Sequence, residues 1–239
     1  MYRFGVIKGD KRMEYLNQAL ENDGYCTKMY DDIGSCAKNC DIIILPIGMK
    51  PTEDMCGKTV FCSMDCDGCI NYANSAYFKA RNALPTAEGA LAIAMQNTDY
   101  TISGSCVTVV GYGNIGKVLS DRLIALGANV TVIARREESQ AEAENRGALA
   151  FGFEKLENIK SDIIFSTVPH LVITDSVIKT LDKSTLIIDL ASRPGSVDID
   201  SAERYGISTI TALGLPGKVA PKSAGEILKR TILLRLSEV

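Results

Sequence analysis

The 239-residue chain lacks a long apolar run and a targeting segment. No stretch approaches the roughly 18 consecutive apolar residues that indicate a membrane-spanning helix. The amino-terminal residues MYRFGVIKGDKRMEYL become charged after a few apolar positions, so they have neither the apolar centre nor the cleavage site of a secretory signal. We therefore expect a cytoplasmic protein that has no membrane partner.

A strong charge of one sign is also missing, and histidine is almost absent. The formal net charge is −3 and no basic stripe is visible, so nucleic acid is not an expected partner. The single histidine, His170, is a candidate catalytic proton carrier because imidazole exchanges protons near neutral pH. No carboxylate partner for it can be named from the sequence. A surface or cofactor-contacting role for His170 is therefore the favoured alternative.

Cysteine is plentiful, but its spacing does not match a zinc finger. Seven of the eight cysteines precede residue 70, and Cys62, Cys66 and Cys69 form a C-x3-C-x2-C run. No histidine is nearby and no second C-x-x-C pair follows, so the spacing favours small buried thiols over metal ligands. In a cytoplasmic protein these thiols would be reduced. The sequence therefore predicts no metal site.

Short apolar strands alternate with helices along the whole chain. This pattern predicts the α/β class, with two doubly wound Rossmann-like domains that have parallel sheets and are joined by bridging helices. We expect a flavodoxin-like substrate or partner domain at 1–84 plus 222–239, and an NADP-binding Rossmann domain at 85–221. A helix that begins near Pro85, with Thr86 as its N-cap, would bring Thr86 and Glu88 to an interdomain cleft.

A glycine-rich turn organises the second predicted domain. Val107–Val110 and Val130–Ile133 are apolar strands, and a helix is predicted between them. Gly111 permits the tight turn, Gly113 lets the backbone approach a pyrophosphate, and Gly116 lets the helix pack on the strand. The predicted dinucleotide contacts from this turn are Gly111, Tyr112, Gly113, Asn114, Ile115 and Gly116.

The end of the second strand indicates which dinucleotide is bound. An NAD site places a carboxylate there for the ribose hydroxyls, whereas this chain has Ala134, Arg135 and Arg136 before the first acid, Glu137. A guanidinium can hold a 2′-phosphate through two hydrogen bonds. We therefore predict NADP(H) rather than NAD, with Arg135 as the first choice and Arg136 as the second. A solvated basic turn is the alternative.

The carboxyl ends of the remaining strands supply the other candidate residues. The predicted cofactor contacts from these ends are Thr167, Val168, Pro169 and Ala191. Arg193 and Lys222 are candidate substrate-binding cations for carboxylates, and Thr86 is a third candidate substrate contact. Lys222 and Glu88 join His170 as candidate catalytic residues. The alternatives are solvated charges for the two cations, and a first-turn helix carboxylate for Glu88. Asp189 is expected at most to cap a turn.

Several longer motifs resemble one known family. They are PTAEG at 85–89, NTDYTISG at 97–104, GYGNIG at 111–116, IIDLASRPG at 187–195 and GLPGKVAPKSAGEIL at 214–228. Together they resemble the A subunit of dipicolinate synthase, and GDKR at 9–12 and ILPI at 44–47 resemble its amino-terminal domain more loosely. Arg135 matches the family's arginine at the second strand end, whereas His170 stands where no family histidine is expected.

The resemblance implies an NAD(P)-dependent oxidoreductase of spore formation. Such an enzyme would oxidise a dihydrodipicolinate-type intermediate of the lysine pathway to pyridine-2,6-dicarboxylate, and its partner would be a flavoprotein-like B subunit. The alternatives are another NADP-dependent dehydrogenase of hydroxy or imino acids, or a non-catalytic nucleotide-binding subunit. The oligomeric state stays open, although a homodimer is common among two-domain enzymes of this kind.

Overall fold

The computed structural model describes residues 2–238 and divides the chain into two units. Unit 1 comprises residues 1–85 and 216–239, and unit 2 comprises residues 86–215. Each unit contains one sheet whose strands are all parallel. The predicted α/β class with two doubly wound Rossmann-like domains is therefore confirmed.

The first part of the chain forms the sheet of unit 1 and two of its helices. Its elements are β1 (Arg3–Ile7), α1 (Lys11–Asn22), β2 (Cys26–Tyr30), α2 (Ile33–Asn39), β3 (Ile42–Ile44), a 3₁₀ turn (Glu53–Met55), β4 (Thr59–Cys62), β5 (Cys69–Asn71) and a second 3₁₀ turn (Tyr72–Asn74). The strand order is β2-β1-β3-β4-β5. This is the order of a flavodoxin-like doubly wound sheet.

The middle of the chain forms unit 2 after a long helix, α3 (Ala76–Gln96), that contains the boundary between the units. The elements are β6 (Cys106–Val110), α4 (Asn114–Ala125), β7 (Asn129–Ile133), α5 (Glu137–Asn145), β8 (Leu149–Phe151), a 3₁₀ segment (Phe153–Asn158), β9 (Ile163–Ser166), α6 (Asp175–Ile178), β10 (Leu186–Asp189), α7 (Ile199–Tyr205) and β11 (Ser208–Thr211). Two last helices follow, α8 (Leu215–Val219) and α9 (Pro221–Leu236).

Apolar side chains are buried on both faces of each sheet. In β3, Ile42 and Ile44 join the core that contains α1 and α9 residues, whereas Ile43 joins the core that contains α2 residues. Such burial on both faces is expected for parallel strands, and each fully buried isoleucine stabilises the fold by about 1.5–3 kcal/mol. Gly225 of α9 lets that helix approach α1, because an added Cβ would lie 2.8 Å from the Leu16 nitrogen.

The helix that was predicted to begin at Pro85 begins earlier. Pro85 lies inside α3, so the prediction of Thr86 as an N-cap is wrong. Proline removes one intrahelical hydrogen bond, but the buried side chains on both sides of it, such as Phe78 and Leu91, hold the helix in place. Strand β5 and helix α8 were not predicted. No helix among residues 2–238 is long and apolar enough to cross a membrane.

Candidate functional site

The glycine turn between β6 and α4 is packed so closely that two of its glycines have no room for a side chain. Gly111 has φ +97°, and its N–H donates to the Ile133 carbonyl at 2.8 Å. A Cβ added at Gly111 would lie 2.5 Å from Thr167 Oγ1, and one added at Gly116 would overlap the Gly111 carbonyl oxygen. Two of the three glycines are therefore required by the packing of the turn itself.

The third glycine faces open space at the start of α4. A Cβ added at Gly113 would meet no atom within 4 Å. Gly113 is the N-cap and provides no side-chain cap, and the first intrahelical bond runs from Lys117 N–H to the Gly113 carbonyl at 2.9 Å. The N–H groups of Asn114, Ile115 and Gly116 therefore precede the hydrogen-bond ladder and remain available to an anion. This cradle fits a phosphate group.

The strand order of unit 2 places a second segment beside this turn. The order is β11-β10-β9-β6-β7-β8, so the sheet reverses its direction of growth between β6 and β9. Ligands of doubly wound sheets bind at such a reversal, beyond the carboxyl ends of the strands. Thr167 follows β9 directly, and both its N–H and its hydroxyl donate to the Val110 carbonyl, at 2.9 and 3.1 Å.

The structure thus gathers most of the predicted cofactor residues at one edge of unit 2. Val168 is half-buried and Pro169 and His170 are exposed after β9. Ala191 follows the neighbouring strand β10 and is buried. Its N–H donates to Asp189 Oδ1 at 3.0 Å, so that N–H group is already used within the protein.

Tyr112 can offer a ligand only its backbone. Its ring is 5% exposed and lies in the core of unit 2, with the Lys117 ammonium 5.6 Å from the ring centroid. Lys117 is also paired with Glu142 at 2.6 Å. Burial raises the pKa of the Tyr112 hydroxyl, which therefore stays neutral at physiological pH. The Tyr112 side chain therefore packs in the core of unit 2.

The two arginines at the end of β7 are available for binding. Ala134 is buried, and its carbonyl accepts from Gln140 Nε2 at 2.7 Å, which fixes the end of the strand. Arg135 and Arg136 are exposed, and neither side chain forms a hydrogen bond or ion pair with any residue in the range 2–238. Glu137 begins α5 directly after them. Two uncommitted guanidinium groups therefore stand at the position that distinguishes NADP from NAD sites.

A buried carboxylate holds the loop that carries Arg193. Asp189, only 2% exposed, accepts from the Ser196 N–H at 2.9 Å and from the Ser196 hydroxyl at 2.8 Å, besides the Ala191 N–H. Asp189 therefore does cap its turn, which was the role expected for it, and it does so with both oxygens. Arg193 itself is exposed within the loop. The loop is thus anchored at both ends of the segment that presents the guanidinium.

The remaining candidate residues, Glu88, Thr86 and Lys222, lie on helices rather than at the ends of strands. Glu88 lies inside α3 rather than in a first turn, so that alternative for it is wrong, and its carboxylate pairs with Arg122 at 3.1 Å. Thr86 is buried in the same helix. Lys222 is exposed at the start of α9 and belongs to unit 1, whereas Arg193 belongs to unit 2. The roles of these residues and of His170 remain predictions.

Comparisons with known proteins agree with this geometry. Residues 106–193 match the family model described as NADP oxidoreductase, coenzyme F420-dependent. Over 160 residues, or 66% of the chain, the sequence is 43% identical to the dipicolinate synthase A subunit of Bacillus subtilis. Crystal structures of dipicolinate synthase A subunits from two bacilli are similar to this chain along almost its whole length. The Bacillus halodurans structure has a TM-score of 0.88 at 28% identity, with 98% of this chain and 97% of that chain covered.

The B. subtilis structure has a TM-score of 0.87 at 29% identity, with 99% of this chain and 96% of that chain covered. The chain resembles the A subunit of dipicolinate synthase. The resemblance inferred from the motifs is thereby confirmed, although the sequence alignment spans only about half, 54%, of the B. subtilis protein. Unit 2 is accordingly an oxidoreductase-type domain for a nicotinamide nucleotide.

Proposed function

We propose that this chain is the NADP-dependent oxidoreductase subunit of a dipicolinate synthase. In this proposal it oxidises a dihydrodipicolinate-type intermediate of the lysine pathway to dipicolinate during sporulation. The observation that carries the proposal is the phosphate cradle at Gly113, which lies in a chain that resembles the A subunit of dipicolinate synthase over two thirds of its sequence. The oxidoreductase family match over 106–193 supports the same reaction type.

The choice of NADP rests on the end of β7. A 2′-phosphate there would meet Arg135 and Arg136, whose guanidinium groups have no partner among residues 2–238. An Arg–phosphate pair is commonly bidentate, and a charge-assisted hydrogen bond contributes about 1.5–3 kcal/mol. NADH lacks the 2′-phosphate and therefore has no negative charge at this position to pair with the two guanidinium groups. We therefore expect NADP(H) to bind more tightly than NAD(H).

Substrate recognition in this proposal depends on basic side chains. Arg193, presented by the loop that Asp189 anchors, would bind one carboxylate of the substrate. Lys222, beside the N–H groups at the start of α9, is proposed for the second carboxylate, and Thr86 for a further contact. When bound, the nicotinamide supplies the hydride acceptor. His170 and Glu88 are the groups proposed to accept the proton that the substrate loses.

The cofactor proposal is tested by titrating the protein with NADPH and NADH. We expect NADPH to bind more tightly, and Arg135→Ala to weaken NADPH by roughly ten- to a hundredfold while NADH affinity changes little. Lys160→Ala is the matched control, because Lys160 is exposed and lies before the amino end of β9, away from the cradle. Tighter binding of NADH, or an equal loss in both variants, would refute the choice of NADP.

The reaction is tested by supplying the cyclic precursor with NADP⁺. We expect NADPH to form with this chain alone or only when a dipicolinate synthase B subunit, the proposed partner, is added. Arg193→Ala should raise KM more than it lowers kcat, because a carboxylate contact acts mainly in binding. Turnover of simple hydroxy acids instead would favour a different dehydrogenase. Tight NADPH binding without turnover under either condition would favour a non-catalytic subunit.

A further inference from the structure

Three thiols meet at the edge of the sheet in unit 1. Cys62 ends β4, Cys69 begins β5, and Cys66 lies in the connection between them. Their sulfur atoms all lie within 4.8 Å of one another, and the Cys62 and Cys66 sulfurs are 3.3 Å apart. All three are free cysteines; Cys62 is buried, while the other two are half-buried and within reach of solvent ions.

The connection that carries these thiols is held by contacts of its other residues as well as by the thiols, since Cys62 Sγ and Cys66 Sγ donate to the Met64 carbonyl at 3.0 and 3.7 Å. Asp65 Oδ1 accepts from the side-chain amides of Asn71 and Asn74 at 2.8 and 2.9 Å. The Cys69 N–H donates to the Cys66 carbonyl at 3.3 Å, and the parallel pairing of β4 with β5 sets Val60 opposite Cys69. The three sulfurs are therefore brought together by the fold before any ligand binds, which lowers the ordering cost of binding.

The sulfur separations suit a thiophilic metal ion. A zinc–sulfur bond is about 2.3 Å, so two thiolates on a tetrahedral zinc lie roughly 3.8 Å apart. The observed separations, from 3.3 Å up to the limit of 4.8 Å, bracket this value. By contrast, Cys36 and Cys40 of unit 1 are buried in its apolar core, each less than 3% exposed, and no third thiol joins them among the described residues.

We propose that Cys62, Cys66 and Cys69 bind one Zn²⁺ ion. Three thiols exchange their protons for three zinc–sulfur bonds, water occupies the fourth position, and three protons pass to solvent. The ion would tie the end of β4 to the start of β5. This inference replaces the expectation of purely structural thiols that the spacing favoured. It concerns unit 1 alone and does not depend on the nucleotide site or on the reaction.

The first test is a zinc titration of the full-length chain, reduced and stripped with a chelator. We expect one equivalent of Zn²⁺ to be held against a chromophoric competitor. Co²⁺ in its place should show the thiolate charge-transfer band and the intense visible bands of tetrahedral cobalt. Loss of a group that contacts only a metal ligand already weakens metal affinity by roughly 10–100-fold. Cys66→Ser removes a ligand itself, so it should weaken zinc affinity by at least this factor.

Two control variants separate this site from the other thiols. Cys36→Ser removes a buried cysteine of the same unit, and Cys106→Ser removes an exposed cysteine of unit 2. Both should keep one equivalent of zinc. A chain that binds no zinc, or a Cys66→Ser variant that binds it as the wild type does, would overturn the proposal.

A second measurement uses the wild-type chain and so does not depend on the folding of any variant. Zn²⁺ should protect the half-buried Cys66 and Cys69 from iodoacetamide, as mapped by mass spectrometry, while the exposed Cys26 and Cys106 continue to react. Equal alkylation of Cys66 and Cys69 with and without zinc would contradict the site.

Discussion

The two glycines at the start of α4 offer a matched pair of substitutions. Gly113→Ala and Gly116→Ala add the same methyl group three residues apart. At Gly113 the added carbon meets no atom within 4 Å, whereas at Gly116 it overlaps the Gly111 carbonyl oxygen. We therefore predict that Gly116→Ala damages the fold of unit 2, and that Gly113→Ala leaves the fold intact but blocks the approach of a pyrophosphate.

The expected magnitudes differ between the two changes. Overpacking costs about 1–3 kcal/mol, and the upper part of this range applies at Gly116 because a backbone carbonyl yields less than a side chain. Alanine recovers up to about 1 kcal/mol there through its helix propensity. A net loss of roughly 1–2 kcal/mol lowers the melting temperature by roughly 2–8 °C. Gly113→Ala should cost at most about 1 kcal/mol, from the preference for glycine over alanine at an N-cap.

Urea unfolding followed by far-ultraviolet circular dichroism measures the first effect, and NADPH titration of the folded variants measures the second. We expect Gly113→Ala to lose roughly tenfold or more in NADPH affinity with an unfolding midpoint close to that of the wild type. A Gly116→Ala variant as stable as the wild type would refute the predicted clash with the Gly111 carbonyl. Normal NADPH binding by Gly113→Ala would show that the open space beside Gly113 is not the pyrophosphate position.

Two further predictions concern carboxylates. Asp189→Asn replaces a carboxylate that accepts hydrogen bonds from Ala191 and Ser196 with an amide. We expect the free energy of unfolding, measured in urea, to fall by about 1–3 kcal/mol. Ser196→Ala removes only one of the donors, so its effect should be smaller. In unit 1, hydrogen bonds from Arg3 lower the pKa of Asp41 from 3.8 to about 2. Because the folded-state value is the lower one, this contribution to stability is present above pH 3.8 and is lost as the pH falls towards 2. Asp41→Asn should therefore destabilise the chain at neutral pH, and the difference in unfolding midpoint from the wild type should shrink between these two values; a constant difference would contradict the assignment.

Sequence patterns predicted best those elements whose bounds are set by residues that are neighbours in the chain. The strand predicted at Val107–Val110 is found at Cys106–Val110, and the strand predicted at Val130–Ile133 is found at Asn129–Ile133. Both are runs of β-branched residues bounded by glycine or a turn, so short-range chemistry defines their ends. The glycine spacing of the turn between them is equally local. The position of the candidate phosphate cradle could therefore be predicted without any tertiary information.

The errors arise where packing between distant segments overrides local signals. Pro85 is a strong local signal for a helix start, yet α3 continues through it because buried residues on each side hold the helix. The network around Asp189 was anticipated only as a turn cap. Its second anchor is Ser196, a residue that no spacing rule connects to a strand end. These features depend on which segments meet, and one-dimensional patterns do not encode that.

The cysteine trio illustrates why the zinc proposal could not come from spacing. The C-x3-C-x2-C run lacks the second ligand pair of known zinc motifs, so a pattern rule rejects it. What brings the sulfurs together is β5, a three-residue strand with no clear sequence signal, paired in parallel with β4 so that Phe61 stands opposite Ile70. If Cys69 were not the first residue of a paired strand, its thiol would have no reason to lie near Cys62. Disruption of this pairing, for example by Ile70→Pro, should therefore weaken zinc binding although all three thiols remain.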